Sequence, residues 1–212
     1  TYLEMAEQMA RLHILFDKLG IKHGDKIALV GRNDINWCVS YIATITYGVV
    51  IVPILQDFNP ADIENIVTHS ESRLLFAGDA HWQTLDTDRM PLLEAAFSLK
   101  KFDVVYEKEG STAAKEAVAD LDAAFQQKYP EGFKVSDIKF NAIPNEEMIL
   151  LNYTSGTTGF PKGVMLTHYN VVNNGKCIGD RMGLSTADRM MIQVPMFHCF
   201  GMVLSMTASL TH

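Results

Sequence analysis

Cysteine is scarce in this chain: Cys38, Cys177 and Cys199 are its three thiols in 212 residues. No two of them form a C-x-x-C pair, which excludes a disulfide framework and a zinc site of the usual spacing. Thiols used so sparingly fit a reducing compartment, and a cytoplasmic location is the expectation. Long apolar runs are missing too. Val49–Leu55 falls far short of the ~20 residues that span a bilayer and reads as a buried strand; peripheral membrane contact is compatible with such a chain, a crossing is not. No signal peptide and no Lys/Arg run is visible, and 25 acidic residues outnumber 18 basic ones. A formal charge of −7 excludes electrostatic capture of nucleic acid. An anionic ligand therefore needs a local constellation that works against the overall field.

Two common nucleotide signatures are also absent. A G-x-G-x-x-G fingerprint does not occur, and the P-loop pattern G-x-x-x-x-G-K-[ST] is not met. What stands instead is Tyr153-Thr-Ser-Gly-Thr-Thr-Gly-Phe-Pro-Lys-Gly-Val164. Its lysine, Lys162, follows Pro161, which offers no N–H and fixes its own φ, so the turn is built differently from a P-loop. Four hydroxyl side chains (Thr154, Ser155, Thr157, Thr158) and two glycines (Gly156, Gly159) fall within a few positions. Glycines let backbone N–H groups approach an anion closely, hydroxyls add donors, and Lys162 adds a mobile positive charge. The stretch is chemically suited to a polyphosphate, and ATP is the expected ligand.

Hydrophobic residues at 48% and charged residues at 20% are ordinary for a folded domain. Apolar spacing predicts a helix from about Met5 to Leu19 ending at Gly20, a strand at Lys26–Val30, a helix through Trp37 and Tyr41, and a strand at Val49–Ile54. Asn59 and Pro60 mark a helix start, with that helix running to about Ser70. Arg73–Ala77 reads as a strand, Pro91–Leu99 as a helix and Phe102–Tyr106 as a strand. This alternation predicts an α/β fold, a mostly parallel sheet flanked by helices. Residues 1–106 form its first block. Residues 107–147 read as a charged surface excursion with a solvated helix over Thr112–Lys128. Residues 148–212 carry the phosphate loop, a helix over His168–Met182 capped by Thr167, a strand at Met190–Val194 and a helix-like end at 201–212. Thr1 at the start and the lack of a stop signal after residue 201 are expected of a piece cut at both ends.

YTSGTTGFPKGV resembles the signature loop of the adenylate-forming superfamily, which includes acyl-CoA synthetases, peptide-synthetase adenylation domains and firefly-type luciferases. Val194-Pro-Met-Phe-His-Cys-Phe-Gly201 resembles the family's next motif, beside the acyl pocket. Thr1–Glu4, Gly20–Asp25 and Gly48–Pro53 resemble the start of its N-terminal domain. Within the superfamily, His168-Tyr-Asn-Val-Val-Asn-Asn174 and the form of the His198 motif are most similar to medium- and long-chain fatty acyl-CoA synthetases. The resemblance implies that 1–212 is part of an N-terminal AMP-binding domain. It also implies two half-reactions: a fatty acid attacks the α-phosphate of ATP to give acyl-AMP and pyrophosphate, and coenzyme A then takes the acyl group as a thioester.

On that reading Thr154, Ser155, Gly156, Thr157, Thr158, Gly159 and Lys162 hold the phosphates, with Lys162 neutralising charge. His198 orients the carboxylate near the α-phosphate or lines the acyl pocket, where Met196, Phe197, Phe200 and Met202 stand beside it. Mg2+ is expected to bridge phosphate oxygens, and no metal ligand is assigned to this chain. The bland readings are a structural histidine between Phe197 and Phe200, and core packing for most of those apolar residues. His13 and His23 read as solvated helix or loop surface, His69 lies near a helix end, and His168 reads as shaping a turn. Cys199 beside His198 is rejected as a nucleophile, because neighbours on an extended segment point to opposite faces. Aryl-acid and amino-acid-activating relatives, and a non-catalytic nucleotide-binding module, remain alternative functions at this point.

Overall fold

The computed structural model describes residues 1–154 and 161–212. In chain order the elements are α1 (Tyr2–Lys18), β1 (Lys26–Val30), α2 (Ile35–Tyr47), β2 (Val50–Ile54), α3 (Pro60–His69), β3 (Leu74–Ala77) and the short α4 (Asp79–Trp82). Then follow β4 (Ala95–Ser98), β5 (Val104–Glu107), α5 (Ala113–Ala119), α6 (Leu121–Lys128), β6 (Met148–Thr154), β7 (Lys162–Thr167) and α7 (His168–Met182). A π-helical segment, Phe200–Thr207, runs into α8 (Ala208–Thr211). Seven strands form one sheet in the order β5-β4-β3-β1-β2-β6-β7. Its interior pairs are parallel, and β5 and β7 close the two ends antiparallel.

Side-chain alternation along the strands divides the core in two. Ile27, Leu29, Ile51, Leu74, Phe76 and Leu150 face α1 and α2, together with Met196, Met202 and Met206. Ala28, Val30, Val52, Ile54 and Tyr153 face Ile63, Ile66 and Val67 of α3. A sheet buried on both faces explains why its strands read as continuous apolar runs. Where β1, β3 and β4 begin, Arg73 holds Glu94 through two contacts of 2.8 Å and also pairs with Asp25, tying three neighbouring strand starts together. Helix starts follow the side chains expected of them. The Asn59 side chain accepts from the Asp62 N–H ahead of Pro60, and Thr167 and Asn170 form a reciprocal capping box on α7.

Three expectations are corrected here. Pro91–Leu99 is not a helix: Ala95–Ser98 pairs along its whole length with β3, and all four residues are buried. Burial on both faces of a paired strand outweighs the intrinsic helix preference of leucine and alanine. Met190–Val194 makes no strand; Asn33 Nδ2 donates to the carbonyls of Ile192 at 3.4 Å and Val194 at 2.9 Å, so a side chain supplies what a ladder would. The helix over Thr112–Lys128 is two helices broken at Asp120, and it is not simply solvated. Ala114, Ala117 and Phe125 are buried. Arg11 of α1 lies 4.0 Å over the Phe125 ring and 2.5 Å from Asp122, and Lys18 reaches Asp120. The excursion docks on α1 by one face.

His13 likewise leaves the surface. Its Nε2 lies 2.9 Å from the Ala43 carbonyl, and burial holds its pKa below the usual imidazole value. His168 is lowered by burial too, against the pull of Glu147. With both folded values depressed, the unfolded chain binds more protons below about pH 6.5, so stability is full above that pH and falls as pH drops towards the folded values. The urea midpoint is therefore expected to be lower at pH 5.5 than at pH 7.5, with a shallower dependence in His13→Gln. A midpoint independent of pH in this range would count against buried neutral imidazoles.

Candidate active site

The sheet brings the two sequence motifs to the same edge. β1, β2 and β6 run parallel, so the chain leaving β1 at Gly31–Asn33 and the chain leaving β6 at Thr154 emerge together at the carboxyl ends. One strand separates them, on the order of 10 Å. Ligands of open α/β sheets sit in this position. Leu150 belongs to the core that contains Met196 and Met202. By alternation Thr154 projects on that same face, as does Lys162, its cross-strand partner at the start of β7. Thr154 and Lys162 are both exposed, and Lys162 has no carboxylate partner among the described residues. Ser155, Gly156, Thr157, Thr158 and Gly159 lie outside the described residues.

The pair next to Thr154 and Lys162 is Tyr153 and Gly163. A Cβ on Gly163 would lie 2.9 Å from Leu151 Cδ1 and 3.4 Å from the Tyr153 ring. Glycine at this position lets β7 pass closely over the tyrosine.

His198 is held by a residue that sequence reasoning missed. Asn33, just past β1, donates to the carbonyls of Ile192 and Val194 and accepts from the Met196 N–H at 2.8 Å. The position of Asn33 beyond a strand's carboxyl end was the available signal. Pro195 O then accepts from the His198 N–H at 3.1 Å, closing the turn. His198 is exposed, and its Nδ1 accepts from the Phe200 N–H at 3.2 Å. In the neutral ring the proton therefore sits on Nε2, which is left to donate to an approaching oxygen. No hydrogen bond joins His198 to Thr154 or Lys162 among the described residues.

The apolar neighbours divide. Met196 and Met202 are buried in the core, with Tyr41 Oη donating to Met202 Sδ at 3.0 Å, while Phe200 is 50% exposed. Cys199 starts a helical segment rather than lying on an extended one, and its Sγ is 3.8 Å from His198 Nδ1. The lone pair of that nitrogen is already taken by the Phe200 N–H, so the ring is not placed as a base for the thiol. Burial pushes the Cys38 thiol up to about 11, whereas Cys177 and Cys199 are exposed. A disulfide reagent at pH 7.5 is expected to titrate two thiols quickly and the third only on unfolding. Three fast thiols would contradict the burial of Cys38.

No group of three His, Cys, Asp or Glu side chains among the described residues could hold a metal ion, and no helix among them is long and apolar enough to cross a membrane. The model of the AMP-binding enzyme family matches residues 1–212. An acyl-CoA ligase of Beauveria bassiana, sidI, is 32% identical over 213 residues, covering 100% of this chain and 36% of that protein. The mitochondrial medium-chain acyl-CoA ligase ACSF2 of Rattus norvegicus is 25% identical over 240 residues, covering 100% of this chain and 37% of its own length. Among solved structures, ATP-bound MatB of Rhodopseudomonas palustris superposes with a TM-score of 0.73 at 19% identity, over 99% of this chain and 37% of that one. The long-chain-fatty-acid-CoA ligase FadD1 of Archaeoglobus fulgidus gives 0.72 at 24%, over 98% and 38%. The chain thus spans little more than a third of the length of these relatives. With the family model matched over every residue, this chain belongs to the AMP-binding enzyme family.

Proposed function

We propose that the chain is the amino-terminal part of a fatty acid–CoA ligase, acting on medium- or long-chain acids with ATP and coenzyme A. The observation that carries this reading is the placement of Thr154 and Lys162 as a cross-strand pair, at the sheet edge that also carries His198. Acyl transfer to AMP brings a carboxylate against a triphosphate, so the barrier lies in positioning and charge neutralisation. Lys162 supplies mobile positive charge beside the β- and γ-phosphates. The loop hydroxyls and N–H groups of residues 154–159 supply donors. Nε2–H of His198 donates to the carboxylate or to an α-phosphate oxygen. Mg2+, when bound, would add charge neutralisation on the phosphates, and no described residue is assigned to hold it. The thiol of the second half-reaction is that of coenzyme A, so no cysteine of this chain is required.

Support for an aliphatic acid comes from 168–174 and the His198 motif, whose form resembles that of medium- and long-chain enzymes, and from relatives named as acyl-CoA ligases. The test is thioester formation by the full-length polypeptide with ATP and coenzyme A, across aliphatic acids of rising length, aryl acids and amino acids. A maximum among the aliphatic acids of medium or long chain is expected. A maximum among aryl or amino acids would reassign the substrate class.

A further inference from the structure

We infer that His69, at the end of α3, is a positioning residue for the phosphate site, acting through Tyr153. This inference rests on the ATP reading above. Nδ1 of His69 lies 2.7 Å from the Tyr153 hydroxyl, and the two rings meet edge to face at 5.8 Å and 89°. Tyr153 is 7% exposed. On the other side its ring lies beside Gly163, where a Cβ would stand 3.4 Å from the ring and 2.9 Å from Leu151 Cδ1. The tyrosine is thus fixed by α3 and by β7 at once.

Its neighbours give this brace a consequence. Tyr153 and Gly163 form the cross-strand pair directly before Thr154 and Lys162. Because successive strand residues face opposite ways, the brace grips one face of the hairpin while Thr154 and Lys162 project from the other. The gripped face is the one α3 covers, where Tyr153 packs among Val52, Ile54, Ile63, Ile66 and Val67. Among the described residues β7 ends the sheet, with one flank not paired to another strand. A hydrogen bond from a neighbouring helix is a direct way to fix its tilt. Among the described residues His69 makes no hydrogen bond to Thr154 or Lys162, so its effect is on where those two residues sit.

The experiment measures ATP affinity calorimetrically on the full-length polypeptide without acid, together with steady-state constants. His69→Leu and Tyr153→Phe each remove the bond, His69→Asn keeps an acceptor or donor near the Nδ1 position, and the double variant tests coupling. Each single loss is expected to weaken ATP binding about two- to tenfold, the equivalent of one net hydrogen bond. The double variant should be no weaker than either single one, His69→Asn should lie near the unsubstituted protein, and KM for the acid should not move. A merely structural bond would lower the melting temperature and leave the ATP-to-acid split unchanged, which overturns the inference. ATP affinity unchanged in His69→Leu and Tyr153→Phe, or additive losses in the double variant, also overturns it alone. No ATP binding by the unsubstituted protein overturns the ATP reading and this inference together.

Discussion

Gly201→Ala is expected to slow adenylation by the full-length polypeptide on the order of a hundredfold while the sheet remains folded. A Cβ at this position would collide with Pro195 O and lie 2.8 Å from the Pro195 carbonyl carbon and 2.9 Å from Val194 O. All three are backbone atoms, and none can swing aside. Pro195 O already accepts from His198, Val194 O from Asn33, and Met196 N–H donates to Asn33. The methyl group must therefore push apart the turn that presents His198. Overpacking of this kind costs about 1–3 kcal/mol. A reacting group displaced by about 1 Å loses on the order of a hundredfold in rate. The check is the pyrophosphate-exchange rate beside a thermal melt. A variant with a normal rate would show that the Pro195–Gly201 turn does not position the chemistry.

Lys162→Ala is expected to act on ATP binding and rate and not on stability. The side chain is exposed on an end strand and holds no carboxylate among the described residues, so its loss should change stability by less than about 0.5 kcal/mol. Removing one preorganised charge from a developing transition state costs about 10²- to 10³-fold in rate. Lys162→Arg is expected to recover only part of this, because a planar fork does not replace a compact ammonium. Unaltered adenylation by Lys162→Ala would remove the residue from the mechanism.

The parallel core was legible in the chain because its strands are short apolar runs separated by capped helices. Asn59-Pro60 and Thr167 announced helix starts through local chemistry, and local chemistry is what a sequence displays directly. Pro91–Leu99 was misread because its leucines and alanines favour a helix in isolation. Its strand exists only because β3 lies alongside, a fact recorded some twenty residues away. Met190–Val194 failed for the reverse reason: it has strand-like residues, but Asn33 satisfies its carbonyls. His13 and the 107–147 segment were placed too far outside, since an amphipathic face does not say which partner covers it.

At the candidate site, Lys162, Thr154 and His198 were named from the motifs, and the topology sets Thr154 and Lys162 on one face at the carboxyl ends of the strands. Asn33 and His69 were not legible as site residues. Each acts through a tertiary contact, one with residues 192–196 and the other with Tyr153, and a place just past a strand was the sole local signal of Asn33.

The most direct test is carboxylate-dependent ATP–pyrophosphate exchange by the full-length polypeptide in the absence of coenzyme A. Adenylation before thioester formation requires exchange that is absent without acid, appears with a fatty acid and is lost in Lys162→Ala. No exchange with any acid, or exchange that ignores the acid, would contradict activation through an acyl-adenylate.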